Sequence, residues 1–310
     1  MLTPRTEIVW LENGRAAPMA APPGLYVDPS LSADGRRLGV ALQYGVRAGD
    51  VWLHDFARGL WTRLTTNPHH ESAPVWHPGD ANQVVYTSRR PGRSAGALMS
   101  IRADGSGAPE LLYESPHWTY ATSSAPAARL LAFVRDGPPG GGDIWLLDLR
   151  DKPAARPFLE TPFSEYSPAL SPDGRWLAYE SNESGEPQVY VRPLSGDGKW
   201  QVSPDGGDKP RWSRDGHRIV YRRWKRAGEA GAPVRMIAVE VTTRPSFAAG
   251  RSRVLAEGDF ARGGNATPNY DISADGRRLL VIRAAPDQPP VPLVVIENWF
   301  TELRQKLGQR

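Results

Sequence analysis

One motif returns along the whole chain. The stretch YSPALSPDGRWLAY (166–179) has close relatives in VDPSLSADGRRLGV (27–40), DKPRWSRDGHRIVY (208–221) and PNYDISADGRRLLV (268–281). Aligned on the apolar position that follows the turn, six copies place Leu38, Val84, Leu131, Leu177, Ile219 and Leu279 in register, at spacings of 46, 47, 46, 42 and 60 residues. A period of this size marks a stacked array in which no unit can bury its apolar surface alone.

Each copy has the same internal order. A short segment ends in Ser-x-Asp-Gly, where the Asp caps a tight turn and the Gly supplies a positive φ. Alternating β-branched and aromatic runs follow, such as RWLAYES, and after a polar loop come DVWLHDF (50–56), DIWLLDL (143–149) or QVYVRPL (188–194). Four short antiparallel strands per unit, repeated radially, make a β-propeller blade. Two copies depart at the turn. The second has Gly79-Asp80 and the third Ala127-Ala128, although both keep the strand pattern.

The expectation is an all-β, six-bladed propeller of four-stranded blades forming one domain over 1–310. The blades run over about 26–68, 69–115, 116–161, 162–206, 207–259 and 260–298. Residues 6–12 read as an outer strand that completes the last blade and closes the ring. The tail 299–310, with Trp299, Phe300, Leu303 and Leu307 near helical spacing, reads as a short helix.

Composition agrees with many short elements joined by turns, since the chain holds 31 Gly and 30 Pro. Without cysteine, a disulfide scaffold, a thiolate metal site and cysteine nucleophile chemistry are excluded. No apolar run reaches the length of a membrane span, and the first residues lack a secretory-signal pattern. The expected compartment is therefore the cytoplasm, or the periplasm for a mature domain cut from a longer chain. The net charge of +4 is scattered over strands and turns, which argues against a nucleic-acid partner.

The residues 168–194, SPALSPDGRWLAYESNESGEPQVYVRPL with its preceding Ser, resemble the TolB-type β-propeller repeat, whose mark is a Ser-Pro-Asp-Gly turn before an apolar strand. The resemblance spans roughly 6–298. The two ends, IVWLENGRAAPMAAPPG and VVIENWFTELRQKL, further resemble the sensor propeller C-terminal to bacterial serine/threonine kinase domains and in related regulators. No kinase motif occurs in the chain. Kinship of this kind implies a platform for ligands or proteins.

The loops leading into the innermost strands converge on one mouth of the channel, where propellers present function. Tyr26, Asp28, Glu71, Tyr120, Glu165, Tyr166, Asp208, Lys209, Asn265 and Asn269 are the candidate ligand-binding residues there. The dense cluster Arg222, Arg223, Trp224, Lys225 and Arg226 is a candidate loop for an anionic partner. A formal G-x-S-x-G match at Gly92–Gly96 lies between two strands, the wrong context for a nucleophile. His69, His70 and Glu71 have no metal-ligand spacing. The sequence thus reads as a non-catalytic binding or sensor module with a protein or peptide partner and no cofactor. Its alternatives are a small-molecule or carbohydrate sensor and a calcium-dependent lactonase- or phosphotriesterase-like hydrolase.

Overall fold

A computed structural model describes residues 5–12, 14–44, 48–89, 96–137, 141–224, 233–261 and 266–285. Strands β1 (Thr6–Glu12) and β2 (Arg15–Pro18) open the chain. The first unit is β3 (Leu25–Leu31), β4 (Arg37–Gln43), β5 (Gly49–Asp55) and β6 (Leu60–Arg63). The second is β7 (His70–Trp76), β8 (Gln83–Arg89), β9 (Gly96–Arg102) and β10 (Glu110–Ser115). The third is β11 (Trp118–Ala125), β12 (Leu130–Gly137), β13 (Gly141–Asp148) and β14 (Ala154–Leu159). The fourth is β15 (Glu165–Leu170), β16 (Trp176–Ser181), β17 (Gln188–Pro193) and β18 (Trp200–Gln201). The fifth is β19 (Asp208–Trp212), β20 (Arg218–Arg223), β21 (Val234–Thr242) and β22 (Ala248–Gly258). Strands β23 (Tyr270–Ile272) and β24 (Leu279–Ala284) end the described chain, and the expected C-terminal helix lies outside the described residues.

The architecture is an all-β propeller. Its sheet boundaries differ from six separate blades: four sheets are discrete and four-stranded, and the first two units form one eight-stranded sheet. They join through a single parallel pair, Gly49 with His70. The physical reason is local. A Cβ on Gly49 would sit 3.3 Å from the His70 imidazole and from Leu42 O, so any larger residue would have to push these neighbours back by a few tenths of an ångström.

The ends of the chain meet in one sheet, ordered β2-β1-β24-β23. Strand β1 pairs antiparallel with β24 from Thr6↔Ala284 to Leu11↔Leu279 and carries β2 on its other side. It is therefore an interior strand, where the sequence pattern suggested an outer one. Ile8 and Val9 explain this, because consecutive residues point to opposite faces and both are fully buried.

The repeated turn has a double cap. Ser171 Oγ donates to Asp173 Oδ1 at 2.6 Å and accepts the Trp176 N–H at 2.9 Å, while Asp173 accepts the Arg175 N–H. The same bonds recur at Ser32/Asp34, Ser213/Asp215 and Ser273/Asp275. The glycines after these Asp residues have φ between 66° and 72°. In the second unit the His77 imidazole replaces the serine: its Nδ1 accepts the Gly79 and Asp80 N–H groups at 3.0 and 3.1 Å. In the third, a 3₁₀ turn at Pro126–Ala128 ends on Arg129 at φ 51°.

Apolar clusters lie between units and not within them. One joins Val51 and Leu53 to Trp76 and Tyr86, and another Ala169 and Trp176 to Trp212 and Tyr221. A third joins Ile8 and Ile282 of the closing sheet to Tyr26 and Val40. Indole N–H groups reinforce these seams, Trp76 donating to Ser30 O at 3.0 Å and Trp212 to Ala169 O at 3.1 Å.

Ser171→Ala removes a buried hydroxyl that both donates and accepts, and costs about 1–3 kcal/mol; calorimetry should show a melting point lower by several degrees. Removing residues 1–12 takes β1 from between β24 and β2 and strips Ile8 from the core, so cooperative thermal unfolding by circular dichroism should be lost or shifted far down. An unchanged transition would contradict the closure.

Candidate binding cavity on the propeller axis

Innermost strands β3, β7, β11, β15 and β19 each break register midway, for example between Val27 and Ser30 and between Ser72 and Val75. At four of these bulges a non-glycine residue followed by proline takes a left-handed conformation: Asp28 (φ 57°), Ala73 (52°), Ser167 (52°) and Lys209 (56°). Such backbone costs about 1–3 kcal/mol per residue and persists only where surroundings over-determine it. Here the surroundings are bonds between units around the axis. Asp28 accepts the Ala73 N–H at 3.1 Å and the Thr267 hydroxyl at 2.5 Å, and its own N–H donates to Asn269 Oδ1 at 3.1 Å. Ser167 Oγ donates to Ala266 O at 3.0 Å, and Tyr270 OH to Lys209 O at 2.6 Å.

These bonds engage most of the residues singled out by sequence. Tyr26 is buried, with its hydroxyl donating to Pro22 O. Glu165 closes the loop before β15, accepting from Thr161 Oγ1 at 2.6 Å and Ser181 Oγ at 3.3 Å. Glu71 does the same before β7 through Asn67 Nδ2 at 3.3 Å. The second oxygen of each glutamate is buried without a partner, and burial raises the pKa of both. Asp208 is held by Arg222 in a bidentate pair at 2.9–3.0 Å and accepts the Trp224 indole N–H. Lys209 Nζ lies 4.0 Å from Glu180, whose pKa burial raises to about 7 against the opposing pull of that lysine.

Arg222 therefore finds its carboxylate within the chain, although the sequence suggested an external anion. Arg223 donates to Asp205 O. Lys225, Arg226, Asn265 and Gly92–Ala95 of the G-x-S-x-G match lie outside the described residues. Tyr120 and Tyr166 keep partial exposure at the mouth named by sequence, with Tyr166 OH donating to Asp136 at 3.0 Å. Among the described residues no three His, Asp or Glu side chains gather as a metal site.

The opposite mouth, ringed by the Asp-Gly turns, holds a cavity of about 630 Å³. That size suits a small ligand or a short chain segment. Every unit contributes: Ser30 and Ala33, Trp76 and Pro78, Ser123 and Ala127, Ala169 and Pro172, Arg211 and Arg214, and Asp271 of the closing sheet. The wall mixes Ala, Pro and Trp with Ser and other polar residues. Its charged residues are Arg37, Arg211 and Arg214 and, opposite in sign, Asp34, Asp80 and Asp271. Asp271 accepts the Leu31 N–H at 2.7 Å and the Ile272 N–H at 2.8 Å. Arg211 Nη1 donates to Thr122 O at 2.6 Å, and Arg214 Nη2 to Leu31 O at 2.7 Å. Burial pulls the Arg211 pKa below its usual value, with Asp271 opposing. The sequence signal for this cavity was readable: the slots of Arg211 and Arg214 hold Ser30 and Ala33, Ala169 and Pro172, and Asp271 and Ala274 in sister copies.

The two capping glutamates give a pH test. A carboxyl whose pKa is raised on folding stabilises below its unfolded value and loses that contribution as pH rises through the folded one. Glu165→Gln, which mimics the protonated acid, should melt near the parent at about pH 4.5 and above it at pH 8. The same difference from the parent at both values would show that folding does not raise the Glu165 pKa.

No family model matches this chain. Among solved structures it is similar to a putative TolB from Agrobacterium tumefaciens, at 18% identity and a TM-score of 0.72, covering 92% of this chain and 100% of that one. It is similar to TolB from Acinetobacter baumannii at 14% identity and a TM-score of 0.60, covering 91% of this chain and 65% of that one. An oligogalacturonate lyase in complex with manganese follows at 16% identity and a TM-score of 0.54, covering 88% of this chain and 80% of that one. At these identities the likeness is one of fold, and the fold of this chain is the TolB-like β-propeller.

Proposed function

We propose that this chain is a non-catalytic binding module, a six-bladed propeller that receives a peptide or a segment of a protein partner in the cavity ringed by its Asp-Gly turns. The observation that carries the reading is the cavity itself, about 630 Å³ with walls drawn from all the units around the axis. Convergent loops on a rigid scaffold are where recognition is built. Six blades follow if the eight-stranded sheet counts as two, and a single parallel residue pair is all that joins its halves. Among the described residues six apolar clusters, each shared by two consecutive units, support the same count. A binding role is favoured over hydrolysis because the axial acids answer to partners within the chain. Asp208 faces Arg222, and Asp28 holds Thr267 and Ala73, with Lys209 and Arg211 adding positive charge where a divalent ion would need oxygen donors.

Ala33 and Ala127 are exposed on the cavity rim, so enlarging them fills the space without disturbing the core. A pool of short fluorescent peptides should yield binders by anisotropy. The double variant Ala33→Trp/Ala127→Trp should weaken them at least about tenfold while the melting point stays within a few degrees. Binding untouched by this variant would move the site away from the cavity, toward Tyr120 and Tyr166.

A further inference from the structure

Resting on that reading of the cavity, we infer that its inner end is a carboxylate subsite, read by Arg211 and Arg214. Among the described residues each guanidinium makes one hydrogen bond, to the carbonyl of Thr122 and of Leu31 respectively. A guanidinium carries five N–H donors, so most remain available in each. Arg211 Nε is buried and unpartnered while its side chain lines the cavity. A buried donor left without an acceptor is costly, so the Arg211 guanidinium wants an acceptor from outside, which Arg214 on the same wall can share.

The charge count selects the class of anion. The lining carries Arg37, Arg211 and Arg214 against Asp34, Asp80 and Asp271, and the oxygens of Asp271 already accept two backbone N–H groups. Three arginines against three aspartates leave no surplus positive charge to neutralise a dianionic phosphate, so a singly charged anion is favoured. The planar fork of arginine also suits the two oxygens of a carboxylate. The Ala, Pro and Trp residues of the wall then face the apolar part of the same ligand. Two sources share this chemistry, the free C-terminus of a peptide and a small organic acid.

The full chain should be assayed by anisotropy against short peptides made both as free C-terminal acids and as amides, and by thermal shift against benzoate and hexanoate. Free acids should bind at least about tenfold more tightly than their amides, the range expected for hydrogen bonds to a charged group. Arg214→Gln should erase that difference. Arg211→Lys, which keeps the charge and loses the fork, should shrink it, with circular dichroism confirming that both variants fold. Preference for acid peptides assigns the subsite to a C-terminus. A stabilising shift by the small acids alone, lost in Arg214→Gln, assigns it to a free acid. Acid and amide peptides that bind equally, yet lose affinity in the Ala33→Trp/Ala127→Trp variant, overturn the carboxylate subsite and leave the cavity reading standing. A screen with no binder sensitive to that variant overturns both.

Discussion

A four-stranded sheet with apolar residues on both faces has no stable life alone. Each unit of this chain is in that position, and the fold follows from the requirement to cover both faces at once. Val40 and Ala41 on one strand, or Leu177, Ala178 and Tyr179 on another, are all buried because their two faces meet different neighbours. A linear stack would leave its terminal faces wet. A ring leaves none, provided that its ends meet, and here β1 and β24 supply that meeting.

Closing the ring sets the chemistry of the axis. Innermost strands from every direction bring their backbone to one narrow space, where each polar group must find a partner. The bulges at Asp28, Ala73, Ser167 and Lys209 turn backbone and side chains toward one another, and the axis at that level becomes a bonded plug. Beyond the plug the strands run on into the Asp-Gly turns, and the small residues Ala33, Ala127 and Ala169 leave room. The cavity is thus what remains after the axis has satisfied itself.

The repeat, the strand order and the turn chemistry were legible in the sequence because they depend on spacing and on local bonds. Ser171, Asp173 and Gly174 act within one turn, and their pattern recurs. The position of Glu71, Glu165 and Asp208 at the start of innermost strands was legible too. Their roles were not, because these depend on Asn67, Thr161 and Arg222, which no periodicity ties to them. The fusion of two blades through Gly49 and His70 was hidden for the same reason. Conversely, Arg211 and Arg214 stood out against Ala169 and Pro172 in a sister copy. Reading the copies for their sameness passed over that difference.

The closing sheet ties the N-terminal strand to the cavity floor. Strand β1 fastens β24 through six residue pairs, β24 fastens β23, and from β23 Asp271 takes the N–H of Leu31 in the first unit. Arg214 grips the carbonyl of that same leucine. The chain's first strand therefore works as a latch on the arginine wall, and any partner or modification that pries it loose also slackens the floor on which a ligand rests.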